Sequence, residues 1–103
     1  DVGVRVEAVA ALANLAVNDK NETEIARVGG LEVILDGAKA PSVDLRSQCA
    51  RALRNLSVNT DNKARLRDLG AIPLLRDIAA SRGTRAAAQA QRALENLEAG
   101  DKK

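Results

Sequence analysis

Apolar residues recur at helical spacing along the whole chain, broken by short polar turns. Val2, Val6, Val9, Leu12 and Leu15 fall near one side of a helix, which predicts an amphipathic element over about 2–17. Asn18, Asp19 and Lys20 make the turn after it. Asn21 then stands as an N-cap for a short helix ending at Arg27 or Val28, with Glu22 and Glu24 in its first turn, where the helix dipole favours acids. Gly29 closes that helix with the backbone freedom a sharp turn requires.

A medium helix over about 30–39 buries Leu31, Ile34, Leu35 and Ala38, and Pro41 prevents its continuation. Ser42 or Asp44 caps a second long helix over about 43–58, and residues 59–61 form its turn. The cycle then starts again. Asn62 opens a short helix to Leu69, Gly70 ends it, and a medium helix follows over 71–80 with Pro73 tolerated in its first turn. Ser81, Arg82, Gly83 and Thr84 lead into a last long helix over about 85–99. The pattern predicts an all-α fold of seven helices.

The cycle is a repeat in identity as well as in polarity. Ala11-Leu12-Ala13-Asn14-Leu15 returns as Ala52-Leu53-Arg54-Asn55-Leu56 and again as Ala93-Leu94-Glu95-Asn96-Leu97, 41 residues apart each time without insertion. The same offset pairs Arg5 with Arg46, Asn21 with Asn62 and Gly29 with Gly70, and keeps Ile25 with Leu66 and Ile34 with Leu75 apolar. Such units bury their apolar faces against sequence neighbours, so residues 1–103 read as one α-solenoid. Residues 1–19 are the last helix of a truncated repeat, 20–60 and 61–100 are full repeats, and 101–103 are a tail. Gln91 occupies the place held by Val9 and Ala50, a polar change that suits a terminal, capping repeat. The chain begins within a repeat and without Met, so it reads as a fragment of something longer. Its first helix is expected to expose an apolar side.

Composition removes several kinds of chemistry. The chain has no His, Phe, Trp, Tyr or Met and a single cysteine. Without imidazole there is no His-based catalytic pair and no ordinary zinc or iron site. Cys49 aligns with Ala8 and Ala90 and reads as a small packed residue. Without aromatic rings there is no stacking platform for bases and no cage for a cation or a proline-rich ligand. Glu22, Glu24 and Asp19 sit at turns and helix starts, where the dipole explains them better than a catalytic pair does. Gly29-Gly30 lacks the spacing and preceding strand of a phosphate loop. No enzyme activity, cofactor, metal or small-molecule substrate is expected.

Net charge is +2 with acids and bases interspersed, which is ordinary surface rather than a nucleic-acid signature. The longest uncharged run, residues 8–18, is far short of the roughly 20 apolar residues that span a membrane. An intracellular protein of the cytoplasm or nucleus, with no membrane insertion, is the expectation.

These features resemble the armadillo repeat, a unit of roughly forty residues with a short helix, a second helix after a glycine turn, and a long third helix. Gly29-Gly30-Leu31 and Gly70-Ala71-Ile72-Pro73 are similar to its glycine turn, and Ala-Leu-x-Asn-Leu to the end of its third helix. HEAT and tetratricopeptide repeats match less well in helix number or period. The resemblance implies a right-handed superhelix whose third helices line a concave groove for extended peptides. The groove asparagine carries over to Asn14, Asn55 and Asn96, whose carboxamides offer a donor and an acceptor to a peptide backbone.

One turn earlier the nuclear-import adaptors of that family have Trp, whereas Ala10, Arg51 and Arg92 stand here. Arg51 and Arg92 lie four residues before Asn55 and Asn96, on the same side of their helices. Their guanidinium forks suit anionic side chains, as in the catenin-like members that hold acidic partners. Gln48 and Gln89 could add hydrogen bonds. The reading is a protein-interaction module that binds an extended acidic segment through Asn14, Asn55, Asn96, Arg51, Arg92, Gln48 and Gln89. Its rivals are an architectural segment that self-associates through its N-terminal side, and salt-sensitive binding to nucleic acid or an acidic filament. The plainer account of the asparagines is a polar residue tolerated near a helix end, and of the arginines a solvated face.

Overall fold

The computed structural model describes residues 2–15, 24, 25, 27, 29–81 and 83–99. Among them are six helices and no strand: α1 Val2–Leu15, α2 Gly30–Ala38, α3 Val43–Leu56, α4 Thr60–Asp68, α5 Ala71–Ala80 and α6 Arg85–Ala99. Six are described where seven are expected, because the short helix placed between Asn21 and Val28 lies mostly outside the described residues. Glu24, Ile25 and Arg27 within it are helical.

Local capping explains where the helices start. Ser42, in an extended conformation, accepts a hydrogen bond from the Leu45 N–H at 3.2 Å and so caps α3. Asn59 does the same for α4, its Oδ1 accepting from the Asn62 N–H at 3.1 Å. The sequence pattern opens this helix at Asn62. The structure corrects that, since Asn62 lies inside α4 and is buried, while Asn59 has the extended backbone of a cap and stands three residues before the N–H it accepts from.

The long helices α1, α3 and α6 lie side by side, with α1 against α3 and α3 against α6. α2 packs on α3, α5 packs on α6, and α4 packs against α5 and α6. The core between them is Leu, Ile and Ala, including fully buried Leu31, Ile34, Leu45, Leu53, Leu56, Leu66, Leu75 and Ala52. The small Ala13, Ala52 and Ala93 are all buried, which suits long helices at short separation.

Glycine is required at the hinge between short and medium helices. Gly29 and Gly70 have φ of 84° and 87°, a region in which a Cβ is strained. A second requirement appears between α2 and α3. A Cβ built on Gly37 would meet Cys49 Sγ at 2.6 Å, so the bulk at this crossing comes from the cysteine. One repeat later the same positions hold Ile78 and Ala90, both buried, and the bulk comes from the other helix.

The ends of the layer differ from its middle. Val9 and Ala50 are buried between long helices, whereas Gln91 at the same register on α6 is exposed and hydrogen-bonds to Glu95 at 3.4 Å. On α1, Ala8 is exposed where Cys49 and Ala90 are fully buried.

Candidate functional site

Helical periodicity brings four positions of each long helix to one side of it, at i, i+4, i+7 and i+11. On α1 these are Gly3, Glu7, Ala10 and Asn14; on α3, Asp44, Gln48, Arg51 and Asn55; on α6, Arg85, Gln89, Arg92 and Asn96. All twelve are exposed or half-buried, whereas the buried residues of α3 and α6 belong to the faces packed on other helices. Six of the seven residues singled out in the sequence therefore form two adjacent rows, and Asn14 extends them onto α1.

The asparagines are not free. Asn55 Nδ2 donates to the Ala13 carbonyl at 2.9 Å, and Asn96 Nδ2 donates to the Arg54 carbonyl at 3.2 Å. Ala13 and Arg54 are themselves one repeat apart, so this is a single contact made twice. The Arg54 carbonyl belongs to the last turn of α3, where the backbone runs out of helical partners. Asn96 thus satisfies the end of the preceding long helix, and Asn55 makes the same contact to α1. Asn96 Nδ2 also donates to the buried Ser57 Oγ at 3.0 Å, and Ser57 Oγ donates to the Arg54 carbonyl at 2.9 Å. The Leu97 carbonyl near the end of α6 accepts from Arg67 Nη1 at 2.8 Å.

This leaves each carboxamide only part of its capacity. Asn14 is held by its oxygen, which accepts from Arg51 Nη1 at 3.1 Å, so its amide N–H groups remain. Asn55 keeps its oxygen and one N–H. Asn96, with both donors engaged, keeps its oxygen.

The two arginines are placed differently. Arg51 is half-buried and lies across the α1–α3 interface, donating from Nε to Gln48 Oε1 at 3.2 Å, from Nη1 to Asn14, and from Nη2 to the Ala10 carbonyl at 3.4 Å. Arg92 is exposed and makes no hydrogen bond or ion pair among the described residues. Gln89, the counterpart of Gln48, instead accepts from Arg54 Nη1 at 3.2 Å. Arg54 is the residue that sequence reasoning undervalues. It fills the variable third position of Ala-Leu-x-Asn-Leu, where α1 has Ala13 and α6 has Glu95, and that variation is the available signal.

At the other end of the rows Arg85 and Asp44 form an exposed ion pair at 2.9 Å, so their charges cancel locally. No group of three His, Cys, Asp or Glu stands close enough to hold a metal ion among the described residues. No helix there is long and apolar enough to cross a membrane.

Comparison with known proteins returns no matching protein-family model and no matching curated protein. Solved structures do match. An engineered protein whose crystal structure is known superposes with a TM-score of 0.92 over 97% of this chain and 41% of its own, at 32% identity. A designed armadillo repeat protein matches with a TM-score of 0.83 at 28% identity, over 89% of this chain and 40% of its own. This chain is an armadillo-like repeat solenoid. A computationally designed armadillo repeat protein for modular peptide recognition matches at 27% identity and a TM-score of 0.82, over 88% of this chain and 39% of its own. The armadillo-like chain thus spans about two fifths of the length of these neighbours.

Proposed function

We propose that the open face of α1, α3 and α6 binds an extended segment of a partner protein bearing acidic side chains. The observation that carries this is the register: Asn14, Asn55 and Asn96 recur on one open face, each retaining unspent carboxamide groups, with Arg51 and Arg92 among them. An extended peptide has a backbone N–H and C=O with no strand to pair with, and carboxamides at regular intervals can serve them. With Asp44 cancelled by Arg85, the remaining charge of the face is Arg51 and Arg92 against Glu7, which favours an acidic ligand. Likeness to a protein designed for modular peptide recognition supports the same reading.

In this reading the chain is part of a right-handed superhelix and acts by binding rather than catalysis, in the cytoplasm or nucleus. Gln48 and Gln89 act mainly by holding the arginines. Affinity sums over repeats, so two repeats supply only a share of it. The test is a selection from a library of intracellular-proteome peptides, run on the wild type and on an Arg51→Glu, Arg92→Glu double variant. Enrichment of extended acidic peptides by the wild type alone is expected. Equal enrichment by both proteins, or by neither, would sink the proposal.

A further inference from the structure

We infer that the face carries one carboxylate-binding cation, Arg92, and that Arg54 keeps it available by occupying Gln89; this rests on the peptide-binding reading above. Two pairs of long helices share a register and differ at one position. In the first pair, position 13 is Ala, so nothing from the third position of the motif competes for Gln48. Gln48 Oε1 accepts from Arg51 Nε at 3.2 Å and folds that guanidinium over Asn14 Oδ1 and the Ala10 carbonyl. Three of its five N–H groups are spent inside the protein. Arg51 is therefore a positioning residue, holding Asn14 by its oxygen and leaving its N–H groups unspent.

In the second pair, position 54 is Arg and takes Gln89 Oε1 at 3.2 Å. Arg92 loses the anchor that its counterpart has, and the contact equivalent to Arg51–Asn14, which would join Arg92 to Asn55, is not made. Arg92 remains exposed with its full fork of donors, four residues before Asn96 and its unspent oxygen. A glutamate or aspartate of the partner can take that fork without displacing an internal bond. At Arg51 the same carboxylate must first break up to three.

The experiment follows 15N-detected solvent exchange of arginine Nε–H groups and titrates the peptide Ac-(Ala-Glu)4-NH2. In the wild type, Arg51 Nε–H exchanges slowly and Arg92 Nε–H rapidly. Arg92→Ala weakens the peptide about fivefold, the upper range for an exposed ion pair, and Arg51→Ala weakens it less. Arg54→Ala releases Gln89 to Arg92, slows Arg92 exchange, and weakens the peptide nearly as much as Arg92→Ala. In a Gln89→Ala background the Arg54→Ala loss disappears. If Arg54→Ala weakens the peptide equally with and without Gln89, its role is only its charge and the assignment is overturned. The assignment also falls if the wild type binds and Arg92 exchange ignores Arg54→Ala, with peptide binding itself left standing. If the wild type does not bind, the binding reading falls and takes the carboxylate site with it.

Discussion

Asn14, Asn55 and Asn96 occupy one register, yet replacing each by Ala should have different consequences for stability. Asn55→Ala removes the Nδ2 donor to the Ala13 carbonyl, a half-buried bond of 2.9 Å. Taking this donor away from the half-buried carbonyl costs about 2 kcal/mol. The better helix propensity of Ala returns roughly 0.6 kcal/mol. The net destabilisation is then about 1–1.5 kcal/mol. Asn14→Ala forfeits only an exposed bond from Arg51, worth about 0.5 kcal/mol, against the same propensity gain, so the change is close to zero. Asn96→Ala should cost at least as much as Asn55→Ala, because Asn96 also holds the buried Ser57 hydroxyl.

With no Trp or Tyr for fluorescence, the measurement is urea or thermal unfolding followed by circular dichroism at helical wavelengths. A difference of about 1 kcal/mol corresponds to about 4–8 °C in Tm for a chain of this size. If Asn14→Ala and Asn55→Ala unfold within about 0.3 kcal/mol of each other, the inter-repeat bond contributes nothing and the reasoning fails. Binding experiments inherit the same constraint. Loss of peptide binding in Asn55→Ala counts as loss of a ligand contact only where the variant remains folded.

Three further perturbations test the scaffold. Gly37→Ala should destabilise by about 1–3 kcal/mol through collision with Cys49 Sγ, and Cys49→Ala in the same chain should recover part of that, read from a double-mutant cycle in urea. Gly70→Ala has nothing within 4 Å of its new Cβ, so its cost of about 1–2 kcal/mol comes from φ alone, and Gly70→Asn should cost less. Hydrogen bonds from Arg27, at 2.6 and 3.0 Å, hold the Glu24 carboxyl below its ordinary range, so Arg27→Gln should return it there in an NMR titration. Because the folded value is the lower one, this pair stabilises above the ordinary carboxylate range and loses its effect as pH falls through the folded value. Both side chains are exposed, and added salt should shrink the effect.

Much of the scaffold was legible because repetition supplies its own check. The bounds of α5 and α6 follow from the pattern, since Gly70 and the 81–84 turn punctuate a strongly periodic sequence. The start of α4 did not follow. Asn59 and Asn62 are both competent caps, and the choice depends on which has extended backbone and which is buried by its neighbours. The location of the face was equally readable, because side-chain direction on a helix follows from spacing. How its residues are occupied was not. Asn55 donating to Ala13, or Arg54 taking Gln89, depends on distances between helices that periodicity does not contain.

That gap between position and occupancy bears on how a repeat surface acquires specificity. A strict period places Arg51 and Arg92 identically on their helices, and a uniform ladder of sites would be the simple expectation. The third position of Ala-Leu-x-Asn-Leu breaks it, because Ala13 lies beside a folded Arg51 and Arg54 beside a free Arg92. Such a substitution need not touch the ligand, since it acts by changing which internal acceptor its neighbour can reach. In this chain, then, Asn55 and Asn96 hold consecutive long helices together, while on the proposed reading the residue at the adjoining position decides which arginine is presented to a partner. The Arg54→Ala and Gln89→Ala cycle tests this separation directly, because it alters the presentation of Arg92 without changing Arg92 or the three asparagines.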